Sequence, residues 1–323
     1  MTRIPQAERR GEAIFIATLI ASTFLMGSSF VAGKILLHEG FSPMMLVGWR
    51  FFVAALATLP LVYFDNRKIF EALAPKALSF RDASAIIVIG LTQTAAVMGL
   101  LFLAMTSISA STAAILLFTN PIWVALLGRL FLGEALHKAR ILGLLLGVIG
   151  VALTIGLGPD MLAGGPALRG ELIGLLSALC WSAATIFNKR AKLPMGTWAL
   201  SFWQMLVGAV AILGIAYARG ETWPASVTVA QWGWFLWLAI PASTGSFGLW
   251  FVALAKGGAT KASGYLFLAP LFTVVMSFPI LGSSFSWLQA AGGLLIGFAL
   301  WLINRRSHAR KADFDEALAK GRP

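Results

Sequence analysis

Apolar runs of about twenty residues follow one another along most of the chain, and no other feature restricts the fold as much. A helix of that length crosses a hydrocarbon core of ~30 Å, where every backbone polar group must be paired within the protein. The runs lack the apolar–polar alternation of transmembrane β-strands. Only 12% of the 323 residues are charged, whereas a soluble domain has roughly a quarter. The sequence therefore predicts an all-α integral membrane protein.

Ten transmembrane helices are predicted. They cover residues 13–33, 43–64, 84–104, 109–128, 141–158, 172–188, 197–217, 232–254, 262–281 and 286–303. The first run is longer than the ~7–15-residue core of a signal peptide, so we expect it to remain in the protein. The lone cysteine, Cys180, lies within a span and has no partner for a disulfide. The segment 68–80 is predicted to be a short helix at the cytoplasmic interface.

The net charge of +12 is distributed unevenly between the predicted loops. With the N-terminus inside, most of the 25 lysines and arginines fall in cytoplasmic segments, and the external segments hold only Lys34, Arg169 and Arg219. This is the positive-inside bias, which predicts that both termini are cytoplasmic. The charge thus reflects membrane topology, and we expect no nucleic-acid partner.

The two halves of the chain are related by an internal repeat. Shifted by 149 residues, the motif FTNPIW at 118–123 falls on FLAPLF at 267–272, and Pro121 falls on Pro270. Without a gap, residues 99–153 match residues 248–302 at 15 of 55 positions. Earlier in each half the offset is 154 or 155, which pairs Arg50 with Gln204 and Lys34 with Lys189.

Because each half holds an odd number of spans, the second half must enter the membrane from the opposite side. Inverted repeats of this kind are typical of secondary transporters, whose two halves move around a site at the membrane midplane. The predicted organisation is a cytoplasmic N-terminus, a first five-helix repeat, an external linker, an inverted second repeat and a basic cytoplasmic tail. Their boundaries are 1–12, 13–158, 159–171, 172–303 and 304–323.

Four stretches carry a resemblance to a known family. They are GSSFVAGKIL at 27–36, WRFFVAAL at 49–56, the run from Leu100 to Leu136 that contains FTNPIW, and GLLLGVIGVALTIG at 143–156. The sequence resembles the EamA domain of the ten-helix drug/metabolite transporter superfamily. The resemblance implies ten helices around a central cavity, and its nearest parallel is the bacterial inner-membrane exporters of aromatic and neutral amino acids. The chain departs from the family pattern at Ser283, which replaces the counterpart of Glu134, and at Met26, where the family often has tryptophan.

Arg50 is the one charged residue inside a predicted span. A charge in hydrocarbon is expensive and marks a functional site by default, but an arginine ~10 Å from the interface can also extend its side chain to water. Both interpretations remain open, a structural role and contact with a substrate carboxylate. The predicted spans contain no carboxylate, so we expect a neutral or zwitterionic solute and no coupling through a buried acid.

The remaining polar and aromatic side chains of the spans are candidates for the cavity wall. Thr94 and Met98 share a helical face with Leu101, and their counterparts in the second half are Ser243, Phe247 and Trp250. Single small or aromatic residues also serve helix packing and interfacial belts. The full set of predicted cavity residues is Ser29, Thr94, Met98, Asn120, Trp181, Ser243, Phe247, Trp250 and Tyr265.

Two prolines lie near the middle of the fourth and ninth spans. Pro121 and Pro270 cannot donate a backbone hydrogen bond, so each is predicted to kink its helix. The alternative is that proline is simply tolerated there. Asn120 has Ala269 as its counterpart, which makes Asn120 an asymmetric element and a candidate for solute contact.

The predicted function is secondary transport of small metabolites by alternating access, with no cofactor, no metal and no catalytic residue. The resemblance implies export of neutral and aromatic amino acids across the inner membrane. Alternatives are an importer, a carrier of drug-like compounds, or a carrier of nucleotide-linked or phosphorylated metabolites, which would need more cations than Arg50. An intramembrane enzyme is disfavoured because no histidine lies in a span, and a channel because one chain supplies no symmetric ring of charges. We expect a multi-pass protein of the inner membrane, monomeric or weakly dimeric.

Overall fold

A computed structural model of the protein describes residues 6–132, 138–155, 165–250, 252–253, 264–283, 286–299 and 301–302. Across these residues the regular structure is entirely helical. Glu134, residues 159–164 of the predicted linker and the basic tail lie outside the described residues.

Twelve helices are labelled in chain order, and helical residues fall within each of the ten predicted apolar segments. The first six are α1 (Gln6–His38), α2 (Pro43–Asn66), α3 (Ile69–Leu73), α4 (Phe80–Ala104), α5 (Ala110–Leu117) and α6 (Asn120–Leu132). The next three are α7 (Lys138–Ile155), α8 (Pro166–Ala191) and α9 (Thr197–Ala218). The last three are α10, which starts as Val229–Ala239, α11 (Leu268–Leu281) and α12 (Trp287–Ala299).

Six of the described helical segments are long and apolar enough to cross a membrane. They are Glu12–His38, Pro43–Asn66, Phe80–Ala104, Ala110–Phe131, Pro166–Asn188 and Thr197–Ala218. Shorter apolar helices occupy Ile141–Val151, Leu268–Leu281 and Trp287–Ala299. The protein is thus a multi-pass helical membrane protein.

Hydroxyl side chains define where several of these helices begin. Ser42 accepts a hydrogen bond from the Met45 amide ahead of Pro43, a residue that suits the first helical position. Ser79 and Thr228 form reciprocal capping boxes at the starts of α4 and α10. These caps satisfy amide groups that would otherwise lack partners at the helix starts.

Two segments of π-helix interrupt α-helices at corresponding places in the two halves. One covers Gly90–Ala96 within α4, and the other covers Ile240–Gly245 within α10, which continues as helix to residue 250. With the sequence shift of 149 residues, the first segment falls on residues 239–245. A π-helix has i→i+5 hydrogen bonds and is enriched at functional sites.

The FTNPIW motif is a break between two helices. α5 ends at Leu117 and α6 begins at Asn120, so Pro121 is the second residue of α6. Around Pro270 the helix type also changes, from a 3₁₀ segment (Gly264–Phe267) to α11. Pro121 therefore lies in a first turn, where amides have no intrahelical partner, and the predicted mid-helix kink takes the form of a junction.

Helices of the first half pack in pairs against helices of the second half. α2 packs against α9, α1 packs against α11, and α8 packs against both α5 and α6. Small residues allow these close approaches: a Cβ atom at Gly48 would lie 2.6 Å from Leu213 Cγ, and one at Gly208 would lie 2.4 Å from Thr94 Cβ. The central cavity is formed where these pairs meet.

One boundary differs from the sequence prediction in a way that matters for function. α8 begins at Pro166, several residues before the predicted span start at residue 172, and it includes Glu171. Glu171 is only 7% exposed. The prediction that no carboxylate lies within an apolar helical segment was therefore wrong, because Pro166 starts the helix ahead of the apolar run.

Candidate functional site

A cavity of about 130 Å³ lies between α1, α2, α4, α5, α8, α10 and the 3₁₀ segment before α11. Its wall is mostly apolar and aromatic, as is usual for small-molecule sites. The lining residues are Met26, Ser29, Phe30, Arg50, Gln93, Met98, Leu101, Phe102, Leu117, Phe118, Trp181, Ala242, Ser246, Phe247, Trp250 and Leu266.

Arg50 supplies the one formal charge of this described lining. Its side chain is 4% exposed, its Nε donates a hydrogen bond of 2.8 Å to Ser243 Oγ, and its guanidinium carbon lies 5.5 Å from the centre of the Phe102 ring. Among the described residues no carboxylate pairs with Arg50. Arg50 therefore does not extend to a water interface, and its guanidinium supplies an unpaired positive charge at the cavity.

Ser243 holds Arg50 in place through the π-helical segment of α10. The Ser243 hydroxyl donates a hydrogen bond of 2.8 Å to the carbonyl oxygen of Leu238, five residues earlier, and accepts the one from Arg50. Ser243 is fully buried and lies outside the cavity lining. Ser243 was predicted to line the cavity, but it instead lies behind Arg50 and supports its side chain.

The two serines of the lining donate their hydroxyl hydrogens to backbone carbonyl oxygens. Ser29 Oγ donates its hydrogen to the Met26 carbonyl oxygen at 2.7 Å, and Ser246 Oγ donates to the carbonyl oxygens of Ala242 and Ser243, each at 2.9 Å. A hydroxyl whose hydrogen is used retains acceptor capacity. The cavity therefore offers a cation on one side and acceptor oxygens elsewhere.

Aromatic rings form the rest of the wall. Trp181 meets Phe118 edge to face at a centroid distance of 5.9 Å, and Phe118 lies 6.3 Å from Phe30. Edge-to-face pairs of this kind are favourable and hold rings in fixed orientations. The resulting surface suits a flat apolar group.

Residues that the sequence repeat aligns occur together in this lining. Five aligned pairs contribute both members, and these are Met26 with Trp181, Gln93 with Ala242, Met98 with Phe247, Leu101 with Trp250, and Leu117 with Leu266. The cavity thus receives equivalent parts of both halves.

Three other predicted cavity residues lie elsewhere. Thr94 is buried against Gly208 of α9, and Tyr265 packs edge to face on Phe15 at 6.3 Å. Asn120 donates a hydrogen bond of 3.1 Å to Ser182 Oγ, which returns one to the Asn120 carbonyl oxygen. Asn120 therefore joins α6 to α8.

The π-helical segment explains why the prediction that Thr94 lines the cavity was wrong. An α-helical spacing groups Thr94 with Met98 and Leu101, whereas Gln93, five residues before Met98, lines the cavity in place of Thr94. One additional residue per turn rotates the side chains that precede it. Phe30, Phe102 and Phe118 also line the cavity but were not predicted to, because their only signal in the sequence was their place in the repeat and in the family-like stretches.

One end of the molecule is densely packed around Lys34. The Lys34 Nζ donates hydrogen bonds to the carbonyl oxygens of Met105 and, at 2.9 Å, Ile108. These contacts tie the end of α1 to the turn between α4 and α5. Lys34 was predicted to lie in an external loop, but it is 8% exposed within the last turns of α1.

Sequence comparison identifies the family of this helical membrane protein. The model of the EamA-like transporter family matches residues 13–156 and again residues 168–305. The chain belongs to the EamA-like transporter family. That the model matches twice agrees with the internal repeat in the sequence.

Several relatives cover most of the chain. An uncharacterized transporter of Bacillus subtilis (strain 168), YoaV, is 26% identical over 87% of this chain and 90% of its own length. A chloroplastic WAT1-related protein of Arabidopsis thaliana is 25% identical over 91% of this chain and 70% of its own length. Protein PecM of Dickeya dadantii (strain 3937) is 28% identical over 63% of this chain and 68% of its own length.

One solved crystal structure has the same fold. It superposes with a TM-score of 0.62, covers 89% of this chain and 96% of its own, and is 18% identical in sequence. The family assignment makes the protein a membrane transporter, and the solved structure shows that its fold has been observed in another protein.

Proposed function

We propose that the protein is a secondary transporter of the bacterial inner membrane that exports neutral amino acids, aromatic ones above all, by alternating access. The observation that carries this proposal is the unpaired Arg50 guanidinium at an aromatic cavity built from equivalent parts of both halves. The proposal includes ten membrane-spanning helices, an inverted second half and cytoplasmic termini. One chain, alone or in a weak homodimer, is the transporting unit.

The cavity offers a partner for each part of such a solute. Arg50 faces the carboxylate, because a guanidinium binds carboxylate oxygens through paired donors. The acceptor oxygens of Ser29, Ser246 and Gln93 are available to the ammonium group. The rings of Phe118 and Trp181 pack against the apolar side chain.

Alternating access follows from the repeat. Inverted-repeat transporters move one half against the other around a central site, and here five pairs of aligned residues line that site. Exchanging the conformations of the two halves would open the same cavity to the opposite side of the membrane.

Carriage of a phosphorylated metabolite is the alternative that the cavity disfavours. A phosphate dianion needs more than one cation or a dense set of donors, and within the described lining Arg50 stands alone. A solute with one carboxylate matches that single charge.

Counterflow into proteoliposomes tests the proposal. Vesicles loaded with unlabelled phenylalanine are supplied with labelled phenylalanine, with or without an excess of leucine, phenylacetate, phenethylamine or glucose phosphate outside. We expect phenylalanine to accumulate, the amino acids to compete, and the compounds that lack either the carboxylate or the ammonium group to compete weakly. Flux of glucose phosphate without flux of any amino acid would contradict the proposal.

A further inference from the structure

Glu171 is a buried acid that the proposed solute site does not use. It lies in α8, five residues after Pro166 and ten residues before Trp181, and only 7% of its surface is exposed. Its neighbours in α8 face the turn between α4 and α5, because a Cβ atom at Gly170 would lie 2.9 Å from Ile108 Cγ2 and one at Gly174 would lie 3.3 Å from Leu116 Cδ1.

No hydrogen bond or ion pair connects Glu171 to another residue in the described part of the chain. Burying an ionised carboxylate without a partner costs several kcal/mol, whereas burying the neutral acid costs far less. Low exposure and the lack of a partner therefore favour the protonated carboxyl group in this packed arrangement.

The charged residues on the helices that pack against α8 are too distant to neutralise an ionised Glu171 carboxylate. α4 carries Arg81 and Asp82, and α6 carries Arg129, all at the ends opposite to the α4–α5 turn. At 1.5 Å per residue, Arg81 lies roughly 35 Å along the helix from Ala104. α5 and the π-helical segment of α4 carry no charged residue.

Two cations lie near the same end of the molecule without pairing with Glu171. The ammonium group of Lys34 on α1 is occupied by the carbonyl oxygens of Met105 and Ile108, and Arg169 on α8 is exposed. His38 lies one turn beyond Lys34 on α1. The contact between Lys34 and Ile108 thus joins α1 to the α4–α5 turn without involving the Glu171 carboxyl group.

A surface crevice lies close to Glu171 along the chain. A surface crevice beside the start of α8 is lined by residues of the α4–α5 turn and of α8, among them Thr106, Ser107, Pro166 and Arg169. Ser107 also contacts Gly170, because a Cβ atom there would lie 3.0 Å from Ser107 Cβ. Opening the turn would join this crevice to the surroundings of Glu171.

We propose that Glu171 is a proton-binding site that couples closure of this end of the transporter to pH: the carboxyl group holds a proton while the end is packed and releases it when the end opens to water. The ligand is a single proton, and by the proposed topology it is exchanged with the external side. The proposal rests on alternating access, but not on the identity of the solute.

A cysteine buried at the same end reports opening without any solute. Ser111 is fully packed in α5, so Ser111→Cys in a Cys180→Ala background reacts with a membrane-impermeant maleimide only when the end opens to the outside. Labelling rates are compared between Glu171 and Glu171→Gln backgrounds, which cancels the pH dependence of the thiol itself. Glu71→Gln, at a carboxylate that is 61% exposed, is the matched control.

We expect the rate ratio of the Glu171 protein to the E171Q variant to rise at least about fivefold between about pH 5.5 and about pH 8, since one linked proton gives up to about tenfold per pH unit. Glutamine mimics the protonated acid and keeps the end closed at every pH. Glu171→Asp should retain the pH dependence, and E71Q should match the parent protein. If E171Q does not reach the membrane, Glu171→Met supplies the neutral side chain.

A rate ratio that stays constant with pH, or a neutral variant that opens as the parent does, overturns the proposal. Failure of the amino-acid proposal would be visible separately, as absent amino-acid counterflow together with a pH-dependent labelling ratio. An absence of labelling in every background would overturn both the proton site and alternating access, because the end would never open.

Discussion

The second helix of each half occupies an equivalent place in the repeat, yet the two helices differ in charge. α2 carries Arg50, and α9 carries Gln204 at the aligned position. The two helices pack against each other, but only Arg50 reaches the cavity lining. A repeated scaffold can therefore hold an asymmetric site, because aligned positions in the two halves carry side chains of different charge.

The largest effect on transport is expected when this difference in charge between α2 and α9 is removed. Replacing Arg50 by glutamine, the residue of the second half, should lower kcat/KM for amino-acid counterflow by roughly 30- to 700-fold, because truncating one partner of a buried charged pair costs about 2 to 4 kcal/mol. Gln204→Ala is the matched control and should change the rate by less than about twofold. Initial rates of protein that elutes as a single gel-filtration peak provide the measurement, and unchanged rates for R50Q would restrict Arg50 to a structural role.

A second difference concerns packing between the halves. Gly208 of α9 aligns with Ala54 of α2, but a Cβ atom at Gly208 would lie 2.4 Å from Thr94 Cβ and 2.8 Å from the Gly90 carbonyl oxygen. Gly208→Ala should therefore destabilise the protein by about 1 to 3 kcal/mol through overpacking. Gly214→Ala on the same helix, where nothing lies within 4 Å, should leave the thermal midpoint in detergent nearly unchanged. Equal midpoints for the two variants would show that α4 and α9 separate easily.

The polar link at Asn120 has no counterpart in the second half, where Ala269 occupies the aligned position. We expect Asn120→Ala to cost roughly 0.6 to 1.7 kcal/mol, the range of hydrogen bonds between membrane helices. A double-mutant cycle with Ser182→Ala, followed by thermal unfolding, isolates the coupling. The KM for solute should not change. A raised KM at unaltered stability would instead assign Asn120 to solute contact.

The smallest effect is expected at the prolines that the halves share. Pro121 is the second residue of α6 and Pro270 the third residue of α11, where a missing amide matters little. Pro121→Ala and Pro270→Ala should each change stability by less than about 1 kcal/mol, in contrast to ~3 kcal/mol for proline in a helix interior. Thermal midpoints and counterflow rates measure this, and a marked slowing of transport by both variants would favour flexing junctions.

The sequence predicted the helical membrane fold because a bilayer requires apolar runs of about twenty residues, which are visible in the sequence without any knowledge of tertiary packing. It also predicted the contributions of Met98, Trp181 and Phe247 to the cavity, because the repeat indicated one face in each half. Thr94 was misassigned because a π-helical segment differs from an α-helix by one residue per turn, and TQTAA has no residue type that signals it. Glu171 was missed because the apolar run begins at the next residue.

The paired π-helical segments also bear on the ancestry of the chain. Each contains an additional residue at the same turn of the corresponding helix, Gly90–Ala96 in α4 and Ile240–Gly245 in α10. Two separate insertions would have had to fall at one turn out of many, whereas one insertion in a single-copy ancestor accounts for both. The irregularity would then be older than the duplication that produced the two halves.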